Sequence, residues 1–152
     1  MSISTRLKTL FEQNKIPYSV LTHQTTYTAH GTAATMQISE KELAKTVVVW
    51  GGEVMILAVL PGPNHVKLHK LGAEVGKPVR LASEQEFSSR FPDCEPGAMP
   101  PIGSLYNLPV YVDESLADDE EIVFNAGTHH DAIRMRYDDF VRLVKPKICS
   151  FT

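Results

Sequence analysis

The apolar positions change period along the chain, and each change marks an element. Ile3, Leu7, Leu10 and Phe11 fall at helical spacing. They predict an amphipathic helix with Ser2 or Ser4 as its N-cap, ended by Asn14 and Pro17. Residues 18–21 read as a short strand. Residues 29–36 are small and alanine-rich, which predicts a helix although Gly31 weakens it. Ser39 and Glu42 have capping-box spacing and open a short helix leading to Lys45. Two unbroken apolar runs follow, at 47–50 and 54–60, with Gly51 and Gly52 between them. Runs without alternation are buried on both faces. They predict a hairpin at the centre of a sheet, with the glycine pair as its turn. Lys45 sits at the rim of that hairpin.

The second half of the chain has shorter elements. Asn64 is placed to cap a helix presenting Val66, Leu68 and Leu71, which Gly72 or Gly76 can stop. Residues 79–81 predict a brief strand. Ser83 and Glu86 form a second capping box, with a helix to about Arg90. Residues 92–103 are rich in proline and glycine and predict irregular backbone. Strands are expected at 108–112, 121–124 and 132–135. Asp138 is expected to cap a last helix bearing Phe140 and Val141. Helices and strands mix without a regular βαβ rhythm, which predicts one α+β domain over residues 1–152 with a mixed, partly closed sheet.

Composition narrows the function. A net charge of −3 over 152 residues argues against broad, non-specific nucleic-acid binding. It leaves room for a protein that grips only one end of an RNA. The longest apolar run is far short of the about 20 residues of a membrane helix, and the N-terminus has no signal-peptide core. Cys94 and Cys149 form no disulfide framework. A cytoplasmic protein with free thiols is expected.

Most candidate chemistry is weak. His65 and His69 have the i, i+4 spacing of a helical metal pair, but there is no adjacent glutamate of a zinc-protease motif. His129 and His130 are neighbours, so in a strand they face opposite ways. No Gly-x-Ser-x-Gly elbow, GxGxxG or phosphate loop is present. Cys94 lies between Asp93 and Glu95, which disfavours its thiolate. The loop from Gly97 to Gly103 is different. Its prolines fix the backbone and its glycines open backbone N–H groups to a carbonyl or carboxylate.

Three blocks then combine in order: Lys45-Thr46 before the valine strand, the Gly97–Gly103 loop, and residues 125–130 (Asn-Ala-Gly-Thr-His-His) leading to Asp138-Asp139-Phe140. In this the chain resembles the YbaK and prolyl-tRNA synthetase-associated editing domain family, the free-standing aminoacyl-tRNA deacylases, over nearly its whole length. The resemblance implies a mixed, partly barrel-like sheet surrounded by helices. It implies hydrolysis of the ester of a mischarged tRNA, with a proline-type tRNA the commonest association, acting at the 3′ acceptor end, and a synthetase as a possible partner. It implies no metal and no cofactor.

By position, Lys45 would be the family's essential lysine, holding the terminal adenosine or phosphate. The loop from Gly97 to Pro101 would position the carbonyl and water, with Thr46, Met99, Pro100, Ile102 and Gly103 against the substrate. Gly127, Thr128 and one of His129 or His130 would line the amino-acid side, with His130 the first choice. The ribose hydroxyl of the substrate would assist. Two other readings stay open: a non-catalytic module binding aminoacyl-adenosine, tRNA or a synthetase on the same fold, and a metal-dependent hydrolase built on His65 and His69.

Overall fold

The structure, a computed structural model, describes residues 5–22, 24, 27–36 and 38–152. Ser2, Ile3 and Ser4, expected at the start of the first helix, lie outside them. The strands in chain order are β1 Ser19–Thr22, β2 Ala44–Gly51, β3 Val54–Pro61, β4 Val79–Leu81, β5 Val110–Asp113, β6 Glu121–Asn125, β7 Asp131–Arg136 and β8 Lys147–Cys149. The α-helices are α1 Thr5–Gln13, α2 Ala29–Met36, α3 Leu68–Val75, α4 Glu84–Phe87 and α5 Tyr137–Val144.

Two sheets are present. The larger runs β4-β2-β3-β5-β8, and the smaller runs β1-β7-β6. The larger is mixed: β2 is antiparallel to β3 and β4, whereas β5 is parallel to β3 and β8. A parallel bridge from Leu43 to Val123 ties the start of β2 to β6. The sheets therefore bend towards a barrel without closing into one.

The main core fills the space between the sheets. Val48, Leu57, Val59 and Val112 of the larger sheet meet Ile122, Phe124 and Ile133 of the smaller, with Leu7 and Phe11 of α1 and Phe140 of α5. On the other face of the larger sheet, Val49, Ile56, Ala58 and Leu60 are covered by Leu71 of α3 and by Phe151. Every β3 residue after Val54 is buried, which is why its sequence does not alternate.

Several boundaries differ from the sequence expectation, each for a local reason. Gly51 pairs with Val54, so the hairpin turn is Gly52 and Glu53, not Gly51 and Gly52. Gly52 takes the positive φ of +63° that the turn needs. Gly51 is small because a Cβ there would come within 2.9 Å of Val75 Cγ1 on α3. After Ser39 there is only a 3₁₀ turn, Glu40–Glu42, and the Ser39 hydroxyl accepts from Lys41 N at 3.3 Å instead of closing a box with Glu42. Lys45 is consequently inside β2 and not at a helix end. The helix expected from Asn64 begins at Leu68, because Lys67 N–H is drawn to Phe151 O at 2.7 Å. His65 is therefore off the helix that carries His69. Asp138 lies inside α5, whose N-cap is Arg136. The box at Ser83 and Glu86 forms with both halves in place.

The last strand, β8, is held by a buried carboxylate. Asp113, 1% exposed, accepts from Phe151 N–H at 2.8 Å, Ser115 N–H at 3.1 Å and the Thr152 hydroxyl at 3.3 Å, and also from the Ser115 hydroxyl. Burial pushes its carboxyl up, but these hydrogen bonds outweigh burial and hold it below the usual aspartate range. A depressed folded-state value contributes stability above the unfolded value of about 3.9 and loses it as pH falls through the folded value. Asp113→Ala is expected to cost about 2–3 kcal/mol at pH 7, since it strands Phe151 N–H. Urea denaturation from pH 7 down to pH 2 should show the variant's deficit shrinking at the acid end.

Candidate active site

A cavity of about 190 Å³ opens where the start of β2 leaves its hairpin and meets the smaller sheet. Five segments build its wall. Residues 43–46 supply the β2 side, Asn125 the end of β6, and His129 the β6–β7 connection. Gly97 and Met99 come from the proline-rich loop, and Tyr27, Thr28 and Thr32 from α2 and its approach. Water occupies about 30 Å³ per molecule in the liquid, so the space holds several waters or an aminoacyl group.

Lys45 is half-buried on this wall. Burial lowers its pKa from the ordinary lysine value, and the nearby Glu40 carboxylate partly restores it. Among the described residues its ammonium makes no hydrogen bond and no ion pair. A desolvated cation without a partner, on the wall of a cavity, is set up to receive an anionic or strongly polar group.

The loop opposite is clasped to the β6–β7 connection. Glu95 N–H donates to Gly127 O at 2.7 Å and Gly127 N–H to Ala98 O at 2.9 Å. His129 N–H donates to Glu95 Oε1 at 2.8 Å, and His129 Nε2 lies 2.8 Å from Pro96 O. A carbonyl oxygen only accepts, so Nε2 carries the proton and the ring is fixed against the loop. Gly97 has φ +85°, and a Cβ there would stand 3.4 Å from His129 Cε1. Its N–H donates to Met99 Sδ at 3.2 Å. A thioether is a weak acceptor, so a substrate carbonyl can displace it. Tyr27, 77% exposed, sets its ring 4.6 Å from that of His129 at a tilt of 52°.

Of the residues named from sequence, the structure brings Lys45, Thr46, Gly97, Met99 and His129 to one cavity. Pro100, Pro101, Ile102 and Gly103 are buried beneath the loop and are not on that wall. Gly127 and Thr128 stand behind it. Gly127 has φ +96° with its Cα side towards Asp93 and Cys94. Thr128 donates its hydroxyl to the buried Asp131 at 2.7 Å and accepts from Asp131 N at 3.0 Å. The preference for His130 is corrected: His129 is 6% exposed and lines the cavity, whereas His130 is exposed and lies 3.3 Å from Asp131. The two rings diverge because the histidines sit in a bend before β7, not in a strand.

Tyr27, Thr28, Thr32 and Asn125 carry no apolar period that would single them out. One local signal exists: the Thr28 hydroxyl accepts from Gly31 N at 3.0 Å, so it starts α2 and fixes where that helix meets the cavity. The other candidates do not assemble. His65 and His69 are both exposed, and no cluster of three metal-ligating side chains exists among the described residues. Cys94 is removed from nucleophilic duty. Burial foremost, with Asp93 adding to it, pushes its thiol up to about 11. No helix among the described residues is long and apolar enough to cross a membrane.

The aminoacyl-tRNA editing domain family matches residues 23–143, most of the chain and every segment of the cavity. This chain belongs to that family. It is an aminoacyl-tRNA deacylase, a hydrolase acting on the ester between amino acid and tRNA. The chain is 27% identical over 152 residues to the multifunctional Ser/Thr-tRNA deacylase ProXp-y of Escherichia coli (strain K12), covering 96% of this chain and 90% of that one. Its fold matches a solved structure described as a proposed trans-editing enzyme for prolyl-tRNA synthetase, with TM-score 0.84, 24% identity and 99% of both chains covered. A solved structure of a hypothetical protein gives TM-score 0.88 at 22% identity, covering 96% of this chain and 98% of that one. At these identities the two structures speak for the fold alone.

Proposed function

We propose that this deacylase clears serine and threonine from tRNAs that wrongly carry them, with proline tRNA the first carrier to test, and that it works in the cytoplasm. The observation that carries the reading is the small cavity lined both by Lys45, whose ammonium has no partner among the described residues, and by Gly97 and Met99 of the loop. The E. coli Ser/Thr-tRNA deacylase, similar over nearly its whole length, supports the choice of amino acids.

The reaction adds water to the ester carbonyl, passes through an oxyanion and expels the ribose oxygen. No aspartate or glutamate stands among the described residues of the wall, and the His129 ring is held by its Nε2–H donating to Pro96 O. Chain-derived base catalysis is thus poorly supplied, and the ribose hydroxyl of the substrate takes the proton-relay role that the resemblance implies. The protein contributes positioning and charge. Lys45 neutralises the oxyanion or the neighbouring phosphate. The Gly97 N–H, now on a weak thioether acceptor, turns to the carbonyl oxygen. The His129 ring, locked against the loop, holds the floor on which the aminoacyl group rests.

Tyr27 extends that floor outward, and its exposed ring offers a stacking face to the terminal adenine. Stacking of a base on an aromatic side chain is worth about 1–3 kcal/mol. Tyr27→Ala is therefore expected to raise KM by about tenfold with kcat little changed, while Tyr27→Phe stays near wild type. Steady-state deacylation over a range of tRNA concentration checks this. The whole reading is tested by a panel of mischarged tRNAs. Release of serine or threonine supports it. Binding without turnover on every member would return the non-catalytic module.

A further inference from the structure

Four buried side-chain polar atoms have no hydrogen-bond partner among the described residues, and two of them, Thr46 Oγ1 and Asn125 Oδ1, belong to residues that line the cavity. Unpaired buried polar atoms cost about 1–3 kcal/mol each. Folded proteins rarely keep them without a use. Thr46 comes from β2, on the core-facing side with Ala44 and Val48. Asn125 ends β6, opposite Ala132 of β7. Two different sheets thus each bring to the wall of a cavity of about 190 Å³ a residue that carries an orphaned polar atom.

We propose that Thr46 and Asn125 form the subsite that reads the side-chain hydroxyl of the amino acid to be removed. The inference rests on the serine and threonine reading above and names the residues that would enforce it. A hydroxyl has one donor and two acceptor lone pairs. It can donate to Asn125 Oδ1, which only accepts, and accept from the Thr46 hydroxyl. One ligand group then satisfies both orphans. The apolar remainder of a threonine side chain has Leu43 and Met99 on the same wall to lie against. Chemistry of this kind gives the discrimination that an apolar pocket lacks. A pocket sorting by one methyl group separates ligands by about 10–200-fold, whereas a site built to pair a hydroxyl penalises its absence far more, because its own polar groups are left unpaired. Alanine lacks serine's hydroxyl. Valine is the near-isostere of threonine without it.

The test compares seryl with alanyl and threonyl with valyl esters, all on one tRNA, in the wild type, Thr46→Val, Thr46→Ser and Asn125→Leu. The readout is the ratio of kcat/KM within each pair, with thermal melting of each variant alongside. Loss of one hydrogen bond predicts that Thr46→Val and Asn125→Leu each lower the threonine-to-valine ratio by about tenfold. Thr46→Ser, which keeps the hydroxyl, should hold the ratio near wild type. Thr46→Val should melt no lower than wild type, since it removes an orphan without changing volume. Ratios within twofold of wild type in both Thr46→Val and Asn125→Leu overturn this inference and leave the deacylase reading standing. A wild type that releases neither serine nor threonine overturns the substrate reading and this inference with it.

Discussion

Lys45→Ala is expected to lower kcat/KM for deacylation by about 10²–10³-fold, the loss typical of deleting one preorganised donor to an oxyanion. The reason is electrostatic. The ammonium is partly desolvated, so its interaction with developing negative charge is screened less than it would be in water. It has no internal partner among the described residues to compete with the substrate. The fold should survive, because the side chain is half-buried and closes no hydrogen bond among the described residues. Circular dichroism and melting of the variant establish that control. Lys45→Arg separates two forms of the role. If the need is only for positive charge near a phosphate, the guanidinium restores most of the rate. If one compact ammonium must meet one oxygen in a cavity of about 190 Å³, the planar guanidinium does not fit and the loss persists. Because burial lowers the Lys45 pKa, the wild-type advantage over Lys45→Ala should fade at a pH below that of ordinary lysine titration. Glu40→Gln removes the charge that opposes this shift and should move the fade lower still. A loss under threefold in Lys45→Ala would remove the ammonium from the chemistry.

The parts of this fold that could be read from sequence are those where local pattern and burial agree. The runs at 47–50 and 54–60 are continuous because the hairpin strands are covered on both faces by separate cores. The box at Ser83 formed because both of its hydrogen bonds are local. The box at Ser39 failed because Leu43 pairs with Val123, which draws the chain into the sheet one turn after the start. The same asymmetry holds for the site. Lys45, Gly97 and His129 stood in recognisable blocks. Tyr27, Thr28 and Thr32 reach the cavity only through tertiary placement of α2, which leaves no trace in spacing. The His129 or His130 choice turned on hydrogen bonds to Glu95 and Pro96, some thirty-odd residues away. Pro100 to Gly103 stood in the same block as Gly97, yet they shape the loop from beneath.

Gly103 puts that last distinction to a measurement. It opens a 3₁₀ turn, Gly103–Leu105, and its carbonyl accepts from both Tyr106 N and Leu108 N at 3.0 Å. A Cβ on Gly103 would stand 2.2 Å from Leu108 O and 2.5 Å from Val110 Cγ2. The first of these is backbone, held in place by the very hydrogen bond that Gly103 accepts from Leu108. Nor can the following residues retreat, because Pro109 O accepts from Leu57 N at 3.0 Å and Val110 starts β5 beside β3. Overpacking a rigid site costs about 1–3 kcal/mol, and with backbone as the obstacle Gly103→Ala belongs at the top of that range. For a domain of this length that is a fall of about 10 °C in melting temperature. A glycine in contact with substrate would behave in the opposite way, raising KM with little change in melting. Gly103→Ala should instead lower the melting temperature while KM of the folded protein stays within twofold of wild type. A raised KM at unchanged stability would put Gly103 back against the substrate.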